Sequence, residues 1–381
     1  VPGGTSFDAV IIGAGIVGAA CAYYLVQAGL SVAVVERNGI VAGTTAEGEG
    51  NILISDKRPG PELDLALLSN RLWRELPEDI RSESELDAKG GLVVAYDVED
   101  LQQLRYLASE QGEGGVHSQE VSSDEIHDYE PNLAPDLPGG VFYPGDLQVQ
   151  PMRAAALLLR SATRGGALLL LRHHVTGLVV SNGRITGVDT SHRRLSTKIV
   201  VNAAGTASGD IAALAGLHLP IEPRRGFIVV TEALPRVIRH KVYGTDYVAN
   251  VESGDAALQT STVIEGTASG TVLIGASRER VGFDRRGGLD VVSILCRGAL
   301  RLFPMLAEVR AIRYYCGFRP YCPDHLPAIG EDPRLAGLFH ATGHEGAGIG
   351  LAPATGYLLA AQATGSVPEI SLSPFSAGRF T

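Results

Sequence analysis

The stretch Asp8-Ala-Val-Ile-Ile-Gly13-Ala-Gly15-Ile-Val-Gly18, running on to Gly29 and then Ser31-Val-Ala-Val-Val-Glu36-Arg37, decides how this chain reads. The apolar run Ala9–Ile12 predicts a buried strand, 19–28 a helix, and Val32–Val35 a second buried strand that ends in an acid. A bare G-x-G-x-x-G is a weak signal, but set between a strand and a helix it is a dinucleotide-binding turn. Gly13 permits the tight turn, Gly15 lets the backbone approach a pyrophosphate, and Gly18 lets helix and strand pack closely. The helix N-terminus, with Ile16 and Val17, presents free N–H groups and a positive dipole end to phosphate. Glu36, followed by Arg37, falls about twenty residues on, where a carboxylate accepts both ribose hydroxyls and repels a 2′-phosphate. The residues point to an adenine dinucleotide lacking a 2′-phosphate, FAD or NAD.

The 381-residue chain is long enough for two domains with proper cores. Forty-two acids against 32 bases give a formal charge of −10, which disfavours nucleic acid or an anionic membrane as partner. No apolar run approaches the length of a membrane span. The opening Val1–Ser6 has no basic n-region or long apolar stretch, so no signal peptide is expected. The four cysteines, Cys21, Cys296, Cys316 and Cys322, form no C-x-x-C pair, so ligand sets for an iron–sulfur cluster or structural zinc are lacking and no metal is expected. Sparse cysteine suits a reducing cytoplasm. Cys316 and Cys322 read as small buried thiols, and the His173-His174 pair as structural.

Forty-seven glycines cluster at Gly43–Gly50 and Gly343–Gly350, which argues for loops that hug a ligand. Helices are expected over Pro61–Leu76, Leu101–Gln111, Arg153–Arg164 and Gly356–Ala363. Strands are expected at Gly91–Tyr96, Gly139–Asp146 (with its turn), Ala167–Val175, Lys198–Gly205, Gly226–Glu232 and Gly270–Ser277. A hairpin is expected at Asn182-Gly183. The fold class is α/β: a Rossmann-type FAD-binding domain (1–90, 140–221 and 316–381) with an inserted α+β substrate domain (91–139 and 222–315) built on a mostly antiparallel sheet.

Four blocks in order carry a resemblance to the D-amino-acid oxidase-like superfamily of FAD enzymes, which includes glycine and sarcosine oxidases and multi-subunit amino-acid dehydrogenases. They are the N-terminal glycine turn with Glu36-Arg37; Gly43-Thr44-Thr45 with Gly48-Glu-Gly50-Asn51; Val201-Asn-Ala203-Ala204-Gly205; and Gly317-Phe-Arg319-Pro320 to Gly330 with Gly343-His344-Glu345-Gly346-Ala-Gly348-Ile349-Gly350 to Gly356. The match spans essentially the whole chain. Within the superfamily, Gly43–Lys57 looks most like the beta subunits of D-hydroxyproline dehydrogenases, with opine oxidase beta subunits next.

The resemblance implies the following roles. Gly13, Gly15 and Gly18 hold the FAD pyrophosphate and Glu36 the adenosine ribose; Thr44 and Thr45 donate to phosphate, or else cap a helix. Gly48, Gly50 and Asn51 pass close to the flavin ring. Val175 meets the adenine edge, and Ala203, Ala204 and Gly205 lie beside ribose and pyrophosphate. Gly317 and the Gly343–Ile349 loop border the isoalloxazine. Arg319 clamps the substrate carboxylate fork to fork, unless a structural carboxylate holds it. His344 is an acid or base, or a packing residue. Tyr243 and Tyr247 fall in the inserted domain, where family members line the substrate cavity; one of them, Tyr247 in the catalytic set, hydrogen-bonds the substrate carboxylate, or else they are core or surface residues. The implied reaction is hydride transfer from the α-carbon of an amino acid, best matched by D-hydroxyproline or a related cyclic imino acid, to non-covalent FAD. Electrons would pass to alpha-type and small ferredoxin-like subunits. The rivals are a stand-alone oxidase producing hydrogen peroxide and a non-catalytic FAD-bearing scaffold. Cys316 lies near a position used for covalent flavin in one sarcosine oxidase branch, offset by one residue.

Overall fold

The computed structural model describes residues 6–380. The opening residues searched for a signal peptide lie, all but Ser6, outside the described residues.

Runs of consecutive apolar residues are stable as strands only where both faces of a sheet are covered. Ala9–Ile12 and Val32–Val35 are such runs, buried throughout, and they pair in parallel with Ile11 opposite Val34. Ile199–Asn202 joins on the other side, Val201 opposite Ile11. The six-stranded sheet runs, edge to edge, Ala328–Glu331, Leu338–Thr342, Ile199–Asn202, Ala9–Ile12, Val32–Glu36 and Leu168–Leu171. Only the Ala328–Glu331 edge is antiparallel to its neighbour. The predicted hairpin forms between Val175–Ser181 and Arg184–Thr190; Asn182 and Gly183 both take positive φ, 49° and 72°, as a two-residue turn matching strand twist requires.

The helix after the glycine turn, Ile16–Gln27, packs on the C-terminal helix Gly348–Ala363. A Cβ on Gly356 would lie 2.6 Å from the Ala20 carbonyl carbon and oxygen, so the two backbones approach through small residues. The C-terminal helix begins eight residues earlier than the sequence suggests, running through Pro353. Proline breaks the ladder because it lacks an N–H, and a neighbouring helix repairs the damage. Ser69 Oγ, on the Pro61–Glu75 helix, accepts from Ala354 N (3.2 Å) and donates to the Gly350 carbonyl (2.6 Å), which also accepts from Trp73 Nε1 (3.1 Å).

The second sheet has eight strands in the order Ala311–Tyr321, Glu222–Thr231, Val272–Arg278, Gln259–Gly266, Lys241–Gly244, Gly91–Val94, Gly139–Tyr143 and Gln119–Ser122. All its pairs are antiparallel except Gly91–Val94 with Lys241–Gly244. Two segments depart from the sequence partition. Gly139–Tyr143 belongs to this sheet, because its backbone groups pair with Gly91–Val94 and Gln119–Ser122. Residues 316–321 continue the Ala311–Tyr321 strand, in register with Glu222–Thr231 from Arg224 opposite Arg319 onward. One strand thus crosses from the substrate sheet to the nucleotide side, carrying Gly317 and Arg319. Among the described residues no helix is long and apolar enough to cross a membrane.

Candidate active site

A continuous cavity of about 1750 Å³, open mouth included, lies between the two sheets. Its lining runs from the glycine turn through the Gly43–Asn51 loop to Arg319, which suits an extended ligand. At one end stands the glycine turn. Gly13 has φ 112°, and a side chain there would overlap the Ala203 carbonyl. Gly15, Ile16 and Val17 line the cavity where the first helix opens, and the first N–H groups of a helix have no intrahelical acceptor. Thr45 Oγ1 accepts one of them, from Ile16 (3.1 Å), leaving its hydroxyl proton to donate. Thr44 Oγ1 donates to the Phe318 carbonyl (2.6 Å), tying the loop to the long strand.

Glu36 and Arg37 line the cavity beyond the turn. The Glu36 carboxylate accepts from Ala14 N (3.0 Å) and Asn38 N (2.8 Å), so each oxygen is fixed yet keeps a lone pair for a ligand. Val175, Ala203, Ala204 and Gly205 line the same end, and Gly43, Thr44, Thr45, Gly48 and Asn51 the middle. A loop free of side chains, a helix N-terminus and an anchored acid suit the pyrophosphate and ribose of an adenine dinucleotide.

The far end is roofed by the substrate sheet. Alternate residues of a strand share a face, so Gly317 with Arg319, and Gly226 with Ile228 opposite, all line the cavity. Gly226 leaves the space that Arg319 crosses, since a Cβ there would overlap its guanidinium. Arg319 donates from Nη1 to the Ser277 carbonyl (2.8 Å), and among the described residues it forms no ion pair. Its neighbours on the sheet differ: Arg224 pairs with Glu345 (3.2 Å) and Arg225 with Glu279 (2.8 Å). Burial, and then the nearby Arg278 charge, pull the Arg319 pKa down to about 10. It remains a cation at neutral pH, with the Glu49 carboxylate near enough to feel its charge but not paired with it.

Tyr247 and the loop residues His344, Glu345, Gly346, Gly348 and Ile349 also line this end. His344 Nε2 lies 3.0 Å from Thr355 Oγ1, whose hydroxyl donates to the Leu351 carbonyl (2.8 Å). The network therefore assigns the proton to Nε2 and leaves Nδ1 bare. Burial alone pulls the ring down to about 3, so it is held neutral at working pH. The unfolded imidazole titrates near 6.5, and between that pH and about 3 the unfolded chain binds a proton the folded chain refuses. The stability from this group is complete above 6.5 and falls as pH drops through that window. The stability advantage of wild type over His344→Gln, from denaturant midpoints, should shrink between about pH 7 and about pH 4; a pH-independent difference would count against the assignment.

Sequence reading did not single out Glu49, which lines the cavity beside Gly48. Lys241 Nζ lies 3.1 Å from Glu265 Oε2 and 3.4 Å from Glu49 Oε2, and Asn51 Nδ2 donates to Glu49 (2.8 Å). Burial opposes the ammonium charge, and the two carboxylates more than offset it, raising the Lys241 pKa. Lys241→Met should cost about 3 kcal/mol or more in denaturant unfolding, because it strands two buried carboxylates; an unchanged midpoint would show that the set carries no stability. A lysine that opens a short strand does not show in sequence where its partners lie.

Three residues assigned to the cofactor from sequence do not line the cavity. A side chain on Gly18 would overlap the Gly13 carbonyl, and one on Gly50 the Val149 carbonyl; Gly343 (φ 79°) packs on Ile221. Their glycines serve close backbone approach. Tyr243 is buried with its hydroxyl donated to Ser55 Oγ (2.6 Å), away from the cavity.

A dinucleotide cradle leading to a buried arginine without an ion-pair partner among the described residues, under an antiparallel sheet, suits the flavin-dependent amine oxidoreductases as a class. The FAD dependent oxidoreductase family of D-amino-acid oxidase type matches residues 8–362. The chain belongs to that family and is an FAD-dependent enzyme of amine or amino-acid oxidation. It is similar to the hydrogen cyanide synthase subunit HcnC of Pseudomonas aeruginosa, 29% identical across 98% of this chain and 96% of that one. Among solved structures, glycine oxidase from Geobacillus kaustophilus superposes with a TM-score of 0.89 at 28% identity, covering 99% of both chains. L-proline dehydrogenase from P. horikoshii superposes at 0.88 and 25% identity, covering 98% of this chain and 97% of that one.

Proposed function

We propose that this chain oxidises an amino acid bearing a primary or secondary amine, D-hydroxyproline or a related cyclic imino acid fitting best, and passes the electrons to partner subunits. The observation that carries the reading is Arg319: a buried guanidinium without an ion-pair partner among the described residues, facing the end of the cavity remote from the dinucleotide cradle. A carboxylate placed there gains two charge-assisted hydrogen bonds, which fixes the position of the carbon beside it. Bound FAD supplies the hydride acceptor and yields an imine product. The residues do the rest. Gly13, Gly15, Ile16 and Thr45 would hold the pyrophosphate and Glu36 the ribose, while Arg319 orients the substrate. Tyr247 and the His344–Gly346 loop wall the site, and neutral His344 leaves the substrate amine free of a competing cation.

The flavin is non-covalent in this reading: Cys316 packs on the core of the substrate sheet and does not line the cavity. All four cysteines are free thiols, in keeping with a cytoplasmic setting. A role as one subunit of a larger complex, with alpha-type and small ferredoxin-like partners, draws support from the similarity to a synthase subunit. Anaerobic addition of D-hydroxyproline, D-proline, sarcosine or glycine to the FAD-loaded protein tests the proposal. Bleaching followed by slow reoxidation in air is the expected result. Fast reoxidation with peroxide would make the chain a stand-alone oxidase, the activity in the name of its glycine oxidase relative. No bleaching with any amino acid would leave a non-catalytic scaffold.

A further inference from the structure

A second cavity, about 910 Å³ with its mouth, adjoins the first, and Tyr247, His344, Glu345 and Gly346 line both. Arg278, the last residue of its strand, lines only the second; Arg319 lines only the first. The two guanidinium groups are linked through one backbone step, because Ser277, whose carbonyl accepts from Arg319, precedes Arg278. Arg278 is 5% exposed, and its Nη1 has no hydrogen-bond partner. Its guanidinium carbon lies 5.1 Å from the Tyr247 ring centroid. Among the described residues it forms no ion pair; even Asp246, near enough to feel its charge, is not bonded to it and keeps an orphaned Oδ1. The other charges around this cavity are satisfied: Lys57 pairs with Asp56 (2.9 Å) and Glu62 (3.5 Å), and Glu345 with Arg224 (3.2 Å) and His325 (2.9 Å).

A buried cation with donors unmet is costly, and a ring face offsets only part of that cost. Such a group in a cavity wall calls for a ligand acceptor. We infer that Arg278 is the specificity-determining residue of the substrate site, donating to an oxygen function, hydroxyl or second carboxylate, on the arm of the substrate remote from the carboxylate on Arg319. The inference rests on the reading of Arg319 given above. Tyr247 lines both cavities and carries Arg278 against its ring, so a ligand that reaches both arginines spans both cavities past that residue. A site built to donate to such an oxygen rejects the analogue that lacks it, because the analogue leaves the guanidinium unpaired.

Two substrate pairs differing only in that oxygen test it: 4-hydroxy-D-proline against D-proline for a hydroxyl, and iminodiacetate against sarcosine for a carboxylate. Apparent dissociation constants come from the substrate-concentration dependence of the anaerobic flavin-reduction rate of the FAD-loaded enzyme. Wild type should favour the oxygen-bearing member of one pair by roughly 10–100-fold, and the pair that shows it identifies the oxygen. Arg278→Met should bring that ratio to within about threefold of unity, with Arg278→Lys, which keeps the charge but not the planar fork, falling between. If the methionine variant does not fold, the lysine variant carries the same comparison. Equal weakening of both members of each pair, or no wild-type preference in either, would overturn the inference while leaving the amino-acid oxidation standing. No bleaching of the wild type by any of the four compounds would overturn the proposed function, and the inference with it.

Discussion

Arg319→Ala should lower kcat/KM for the amino-acid substrate by on the order of 10²–10⁴-fold, mostly through KM, with FAD still bound. Two charge-assisted hydrogen bonds to a carboxylate from a buried guanidinium are worth a few kcal/mol together, and nothing else on that face of the strand replaces them. Gly317 and Gly226 carry no side chain, and Arg224 is committed to Glu345, to the Ser253 carbonyl and to Gln259. Arg319→Lys should recover only part of the loss, since an ammonium cannot present two parallel donors. The measurement that matters is the pairing of steady-state constants with flavin content. If the alanine variant also loses its flavin, the residue holds the fold together and the proposed function loses its main support.

Gly18→Val should yield protein without bound FAD. Even a Cβ on residue 18 would overlap the Gly13 carbonyl, and two γ-methyl groups make the conflict worse. The first helix would have to move away from its strand, and its N-terminus would no longer stand over the pyrophosphate position. The helix cannot yield on the other side, because Gly356 of the C-terminal helix already brings that backbone against Ala20. Purified Gly18→Val protein should show little or no flavin absorbance per chain even after incubation with FAD, and a lower unfolding midpoint. Full flavin loading would mean that the helix tolerates displacement and that close packing at this glycine is dispensable. Arg319→Ala and Gly18→Val thus separate the two ends of one cavity, the first removing substrate and sparing flavin, the second removing flavin.

Legibility from sequence follows the range of the interaction concerned. The glycine turn, the two apolar strands and Glu36 lie within a few dozen residues, and the Asn182-Gly183 hairpin is a two-residue affair; strand periodicity and turn chemistry are local and are written in residue order. The C-terminal helix was misread at its start because Pro353 is a local stop signal, overridden by Ser69 and Trp73 from a helix about 280 residues earlier in the chain. Gly18, Gly50 and Gly343 were visible as glycines, but whether a glycine faces a ligand or a neighbouring carbonyl is a question of tertiary contact. Gly139–Tyr143 read correctly as a strand, yet its sheet was not legible, since pairing partners are not written in a strand.

By itself, the sequence determined the βαβ turn and with it an adenine dinucleotide, because adjacent residues there build the whole device. The family resemblance, carried by blocks along the chain, brought Arg319 forward. Only the tertiary structure decided that Arg319 and Arg278 stand without ion-pair partners among the described residues while Arg224 and Arg225 have them, that Lys241 meets both Glu49 and Glu265, and that His344 is neutral. The charge state and pairing of a buried group depend on what the fold brings within a few ångströms of it, and those neighbours lie tens to hundreds of residues away along the chain.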